Sequence, residues 1–441
     1  MPAMPPSYPV IVVPGITANY LTDDYPLPPE IVWSVMTNDY ERASLHPDDL
    51  RFDAQEPARV RPGQLFEVAY KELIEELRHN LRDRADEDVP VFPFSYDWRQ
   101  PLAVVEQQLA AFIEEVIART GLLRSYYQAG YLDDPRVNLV GHSMGGLIIA
   151  GHLQAAGGRA KVAKVATLAS PFQGSFEAVI KISTGTANLG TSAPSSRERE
   201  AARVTPGLYH LIPSFQNGLV FPPDFPPNWI RSLYAPETWQ PSILDTIGEY
   251  VRLHGRTSMD PTAQAVTLFD HLLAEAKQHR DRIDGMTLAP SGLTSSDWLC
   301  VVGVDSTTRV RLGLRMMAGK PDFNLQSSDR ANLWKDPDKA NQRLTGDGTV
   351  PFEGAIPKFL ALENLICVTR DDFGYWEVID STLASFAGFH GILPNMNMLH
   401  RLIVAHFTGR PDTHGNIWGR PAPGIAVADW KPAVSGLHAK P

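Results

Sequence analysis

The stretch "RVNLVGHSMGGLIIAGHL", Arg136 to Leu153, constrains the fold of this chain more than any other. A short apolar run with β-branched residues leads into a serine, and a helical pattern of small and apolar residues leads away from it. Strand and helix meet at so sharp a corner only where the residues beside the turn are tiny, and Gly141 and Gly145 meet that demand. Ser143 then stands at the apex, with its hydroxyl above the strand end. The helix that follows aims its N-terminus, and the Met144 N–H, at the same point. As a bare string G-x-S-x-G carries little weight; its place between a strand run and a helix run is what matters.

Other apolar runs repeat the strand signal. "PVIVVPG", "VPVFPFSYDW", "RVNLVGHS", "KVATLASP", "DWLCVVGV" and "ENLICVTR" are continuous in apolar residues rather than alternating, as expected of strands covered on both faces. Between them, Gln64 to Leu81 places Leu65, Val68, Tyr70, Leu73, Ile74 and Leu77 near one helical face, and Leu102 to Thr120 repeats the pattern. This alternation predicts an α/β fold, a mostly parallel sheet with helices on both sides. From about Phe176 to Asp297 no strand run is evident, and helical patches alternate with Pro-rich pieces such as "VFPPDFPPNW". The expected division is therefore a core over residues 1–175, an inserted helical cap or lid over 176–295, and a second part of the core over 296–441. Residues 306–345 form a second excursion, and the chain from Gly409 onward is Pro/Gly-rich.

Composition excludes several classes. A chain of 441 residues with 43% hydrophobic and 20% charged residues has the make-up of a folded globular protein. Its formal charge of −10, without a Lys/Arg cluster, argues against nucleic acid as a partner. No stretch approaches the roughly 18 uninterrupted apolar residues of a spanning helix. Together with an N-terminus that lacks a basic and apolar leader, this predicts a cytoplasmic protein whose membrane contact is at most peripheral. The two cysteines, Cys300 and Cys367, lie in apolar runs without metal or redox spacing and read as buried thiols.

A serine hydroxyl needs a base, and the base an orienting carboxylate, in the chain order Ser, Asp, His. Among thirteen histidines, His271, His279, His400 and His406 fall in helical patterns, and His142 flanks the serine itself. His390 lies in "GFHGILPNMNM", a Gly-flanked turn after the last strand run, and is the expected base, with His400 as the alternative. Asp347 in "TGDGTVP" is the expected acid from its place in that order; Asp305 is the runner-up, followed by Asp371 and Asp372. A second oxyanion donor, beside Met144, is expected from the N–H of Ile16 or Thr17, where "VVPGIT" turns at Gly15. In "YDWR", Trp98 is a candidate for substrate contact, and Asp97 with Arg99 for a buried ion pair.

"VVPGI", "YDWR", "GHSMGG", "ASPFQGS", "TPGLYHLIPS" and "GDGTVP", in this order, resemble the lecithin:cholesterol acyltransferase family, which includes lysosomal phospholipase A2 and the phospholipid:diacylglycerol acyltransferases. The likeness runs over most of the chain as spaced motifs and is weakest in the cap and after Val368. It implies an α/β-hydrolase fold with a cap, Ser143 as nucleophile, Asp347 as acid, and acyl-ester chemistry on lipids. No metal or diffusible cofactor is implied. The disulfides of animal members have no counterpart in Cys300 and Cys367. The expected function is thus a serine-dependent ester hydrolase or acyltransferase acting on a lipid or other acyl ester. The alternatives are a catalytically idle binding module and a hydrolase of a short-chain or non-lipid ester or amide.

Overall fold

The computed structural model describes residues 7–25, 27–35, 40, 42–54, 57–82, 87–186, 194–257, 259–374, 377 and 388–440. All six anticipated strand runs enter one sheet. They are β1 (Val10–Val13), β2 (Val91–Pro93), β3 (Val137–His142), β4 (Val162–Leu168), β5 (Trp298–Gly303) and β6 (Leu365–Val368). The six-stranded order is β6-β5-β4-β3-β1-β2, and every neighbouring pair is parallel.

Why these strands read as unbroken apolar runs is visible in β1. Ile11 and Val13 belong to a core shared with α2 (Leu102–Gly121) and α3 (Met144–Ala156), through residues such as Leu109, Ile113 and Leu147. Val10 and Val12 belong to a second core with Tyr70, Leu73 and Leu77 of α1 (Glu67–Asn80), and with residues of a later helix, Asn397–Thr408. Alternate residues of one strand thus serve opposite cores. An all-parallel sheet with both faces covered is the result, and it holds Ser143 at the end of a central strand.

Some expectations need correction. Val68 is exposed rather than on the buried face of α1, because it sits about 200° around the helix from Tyr70; Ala69 is buried instead. The segment after β1 also holds an antiparallel sheet, Asn19–Asp23 between Glu30–Trp33 and Val60–Leu65, for which the sequence has no clean alternation. The segment expected to be a cap contains helices Phe176–Thr184, Ser196–Val204, Ser242–His254 and α4 (Pro261–Asp284). It is not purely helical. Leu219–Val220 pairs with Leu312–Met317, so this segment and the second excursion share a small sheet. The aromatics of "VFPPDFPPNW" pack on one another, Phe225 against Phe221 and Trp229, and Phe225 is buried.

Cys300 and Cys367 are buried and free, as expected. Burial pushes the Cys300 thiol up to about 12, which makes it inert as a nucleophile at neutral pH. Among the described residues no helix is long and apolar enough to cross a membrane.

Candidate active site

Ser143 ends β3 and caps α3, and its backbone is strained to do so. Its φ is +53° with ψ −126°, a region that costs a non-glycine residue about 1–3 kcal/mol. The corner is as tight as the glycines imply. A Cβ at Gly145 would collide with the carbonyl of Val13, and one at Gly15 would lie 2.9 Å from Ser143 Cβ and 3.3 Å from its Oγ. The Ser143 N–H donates to the Leu168 carbonyl at 2.9 Å, which ties the corner to β4.

Two residues far apart in the chain meet the serine. His390 Nε2 lies 2.9 Å from Ser143 Oγ, and His390 Nδ1 lies 2.7 Å from Asp347 Oδ2. A carboxylate only accepts, so Nδ1 carries the proton and Nε2 presents its lone pair to the serine hydroxyl. Asp347 is 1% exposed and fully engaged, since its Oδ1 accepts the N–H groups of Thr349 (2.9 Å) and Val350 (2.7 Å). The His390 segment is also tied to Asp347 through the backbone, His390 N–H to Asp347 O at 3.2 Å. His390 sits in a one-turn helix, Phe389–Ile392, entered at Gly388 with φ +91°, where an open turn was expected.

The alternatives go elsewhere. His400 Nε2 donates to the Pro394 carbonyl at 2.7 Å. Asp305 accepts from Asn332 and pairs with Lys335 at 2.8 Å. Asp372 is held below the usual carboxylate range by hydrogen bonds from Arg420, the Thr369 backbone and Trp418, which outweigh its desolvation, the largest single influence. Arg99 is 1% exposed and grips Asp97 with Nε (2.9 Å) and Nη2 (2.8 Å) and Asp53 with Nη1 (2.6 Å), so "YDWR" contributes the expected buried ion pair. Trp98 packs edge-on against Trp33 with ring centroids 4.8 Å apart and is buried.

The structure places Met144 at the first position of α3. Gly15 sits against the serine, and Thr17, just beyond Ile16, turns at φ +59°. Two further residues escape sequence reasoning. Tyr70 Oη accepts the Gly15 N–H at 3.1 Å and lies 2.7 Å from His142 Nδ1, while His142 Nε2 is 3.0 Å from the His390 carbonyl. Burial, and then the neighbouring His390, holds the His142 imidazole well below its ordinary range, and it is neutral. Glycine spacing announces the serine; nothing local announces a contact between residues 70 and 142. Among the described residues no group of three or more His, Cys, Asp or Glu side chains is placed to hold a metal ion.

A parallel six-stranded sheet with helices on both faces, carrying a strained serine at the strand-to-helix corner, defines the α/β-hydrolase fold. One chain of the crystal structure of the Tle4-Tli4 complex shares that architecture at TM-score 0.54 and 15% identity, over 79% of this chain and 88% of its own length. Within that fold, the model of the lecithin:cholesterol acyltransferase family, which the motifs resemble, matches residues 63–235, less than half of the chain. No curated protein sequence matches the chain.

Proposed function

We propose that this protein is a serine-dependent acyl-ester hydrolase or acyltransferase acting on a lipid-like substrate. The observation that carries the reading is the contact chain Asp347 Oδ2 to His390 Nδ1 (2.7 Å) and His390 Nε2 to Ser143 Oγ (2.9 Å). In this reading His390 takes the Ser143 proton as Oγ attacks the ester carbonyl, and Asp347 stabilises the imidazolium. The tetrahedral oxyanion is met by the Met144 N–H and the N–H of Ile16 or Thr17. His390 then returns the proton to the departing alcohol, which leaves an acyl group on Ser143. Water or a second alcohol, deprotonated by the same imidazole, releases it. The backbone at Ser143 supports the reading, since φ +53° with ψ −126° holds the hydroxyl at the strand-to-helix corner within 2.9 Å of His390 Nε2.

The lipid-like substrate rests on the lecithin:cholesterol acyltransferase match over residues 63–235, which spans "YDWR" and the elbow. We take residues 176–295 as a cap over the strand ends. Trp98, whose buried Nε1 has no hydrogen-bond partner, is our candidate for substrate contact.

A fluorophosphonate probe tests the chemistry. Wild type labels and Ser143→Ala does not; a folded wild type that stays unlabelled removes the reading. A chain-length series of p-nitrophenyl esters, with and without phosphatidylcholine vesicles, tests the substrate. Rates that rise with chain length support a lipid-like substrate, and a maximum at acetate refutes it.

A further inference from the structure

We propose that Tyr70 and His142 are positioning residues that join the oxyanion loop to the base segment as one hydrogen-bonded unit, an inference that rests on the roles proposed above for Ser143 and His390. The protons of this chain have only one arrangement. The His390 carbonyl can only accept, so His142 Nε2, 3.0 Å away, carries a hydrogen. The ring is buried and neutral, so Nδ1 is a lone pair and must accept the Tyr70 O–H at 2.7 Å. The phenol oxygen then has its own lone pair free for the Gly15 N–H at 3.1 Å. Burial pushes the Tyr70 phenol well above its ordinary range, so it keeps that proton.

The chain begins one residue before Ile16, whose N–H is a candidate oxyanion donor, and ends on the carbonyl of the base itself. It passes through the residue that precedes the nucleophile. Oxyanion donors and base come from segments more than 370 positions apart (residues 15 and 390), so nothing local fixes their relative placement. A fixed placement is what preorganised catalysis requires. The unit also has an electrostatic side. The His142 and His390 rings lie 5.1 Å apart, and His390 becomes a cation in the proposed reaction. With Nδ1 occupied by the Tyr70 hydroxyl, His142 takes up no second proton, so no competing cation forms beside it.

Tyr70→Phe removes one oxygen and keeps the ring; His142→Gln keeps a donor toward the His390 carbonyl and loses the Tyr70 link. Each is tested on a p-nitrophenyl ester, with competent serine counted by fluorophosphonate titration so that any unfolded fraction drops out. Each single variant lowers kcat per titrated serine about tenfold with KM unchanged, and the double variant is no worse than either single, because one link is broken in all three. Wild-type kcat in Tyr70→Phe, or a double variant whose loss is the product of the two singles, overturns the inference and leaves the function standing. An unlabelled wild type removes both.

Discussion

Among the described residues two carboxylate–imidazole pairs share the same 2.7 Å contact, Asp347–His390 and Glu106–His279, and only the first faces a serine hydroxyl. The first is Asp347 with His390, at the N-terminus of α3. The second is Glu106 of α2 with His279 of α4, beside the C-terminal half of α3 and a groove of about 670 Å³ that His152 and His210 also line. What separates them is the third partner. Asp347 is otherwise bound by neutral backbone N–H groups, so its charge is available to an imidazolium at His390. Glu106 instead accepts two bonds from Arg282 Nη2, at 2.6 and 2.8 Å, so any charge it carries faces a permanent cation before it faces His279. His279 is accordingly held well below its ordinary range, first by burial and then by Arg282 and Arg280. A carboxylate–histidine distance therefore does not distinguish two such pairs; the remaining partners of the carboxylate do.

The comparison breaks most visibly in kinetics. On the roles proposed for them, His390→Ala and Asp347→Asn lower kcat by roughly 10³-fold or more, as losses of a base and of its orienting acid do. His279→Ala leaves kcat per titrated serine near wild type. An equal loss at both sites, measured on one p-nitrophenyl ester, shows that the second pair takes part in the chemistry.

The second effect is on stability. Glu106→Ala strips α4 of its buried anchor to α2 and leaves Arg282 and His279 without their acceptor. The expected loss is about 3 kcal/mol, the low end for a broken buried pair, because the Arg282 side chain is 27% exposed and can turn to water. Urea unfolding measures it. A loss under about 1 kcal/mol means that hydrophobic packing alone holds α4 to the core.

How much of this was legible follows the range of each signal. The six strands were readable because burial on both faces makes them continuous apolar runs, and Ser143 because its corner demands glycines at fixed spacing. That Asp347 and His390 come together at Ser143 was anticipated from chain order and their glycine-flanked turns. Val60–Leu65 was not, because "VRPGQL" carries proline and glycine and pairs only through its backbone with Asn19–Asp23. Leu219–Val220 is too short to announce itself without its partner strand near Leu312. Glu106 and His279 each sit in an ordinary helical pattern, and their pairing across 173 positions exists only once α2 and α4 are packed. The same holds for Tyr70 and His142.

A pH series sharpens the contrast between the pairs. Burial pushes Glu106 from its ordinary 4.5 up to about 7, against the lowering influence of Arg282. Between those values the folded protein binds the proton that the unfolded chain has released, so the contribution of this group to stability falls as pH rises. Glu106→Gln lacks the titration. The stability of the variant relative to wild type accordingly rises between about pH 5 and pH 8, by of order 2 kcal/mol. Urea midpoints at several pH values report it. A relative stability that falls over the same range means that Arg282 keeps Glu106 ionised throughout.

The smallest effect concerns backbone strain, which of these two sites the one at Ser143 carries. Its φ of +53° with ψ −126° lies where a side chain is penalised and glycine is not. Ser143→Gly is expected to abolish fluorophosphonate labelling and yet raise stability by about 1 kcal/mol, because the relieved backbone outweighs the single hydrogen bond lost to His390. The added flexibility of glycine in the unfolded chain works against this gain, so Ser143→Ala, which loses the same hydrogen bond and keeps the strain, is the proper reference. Glycine more stable than alanine at this position places the strain in the backbone. Alanine the more stable of the two means that the corner is held by its surroundings at no net cost, and that the two buried pairs differ in their partners alone.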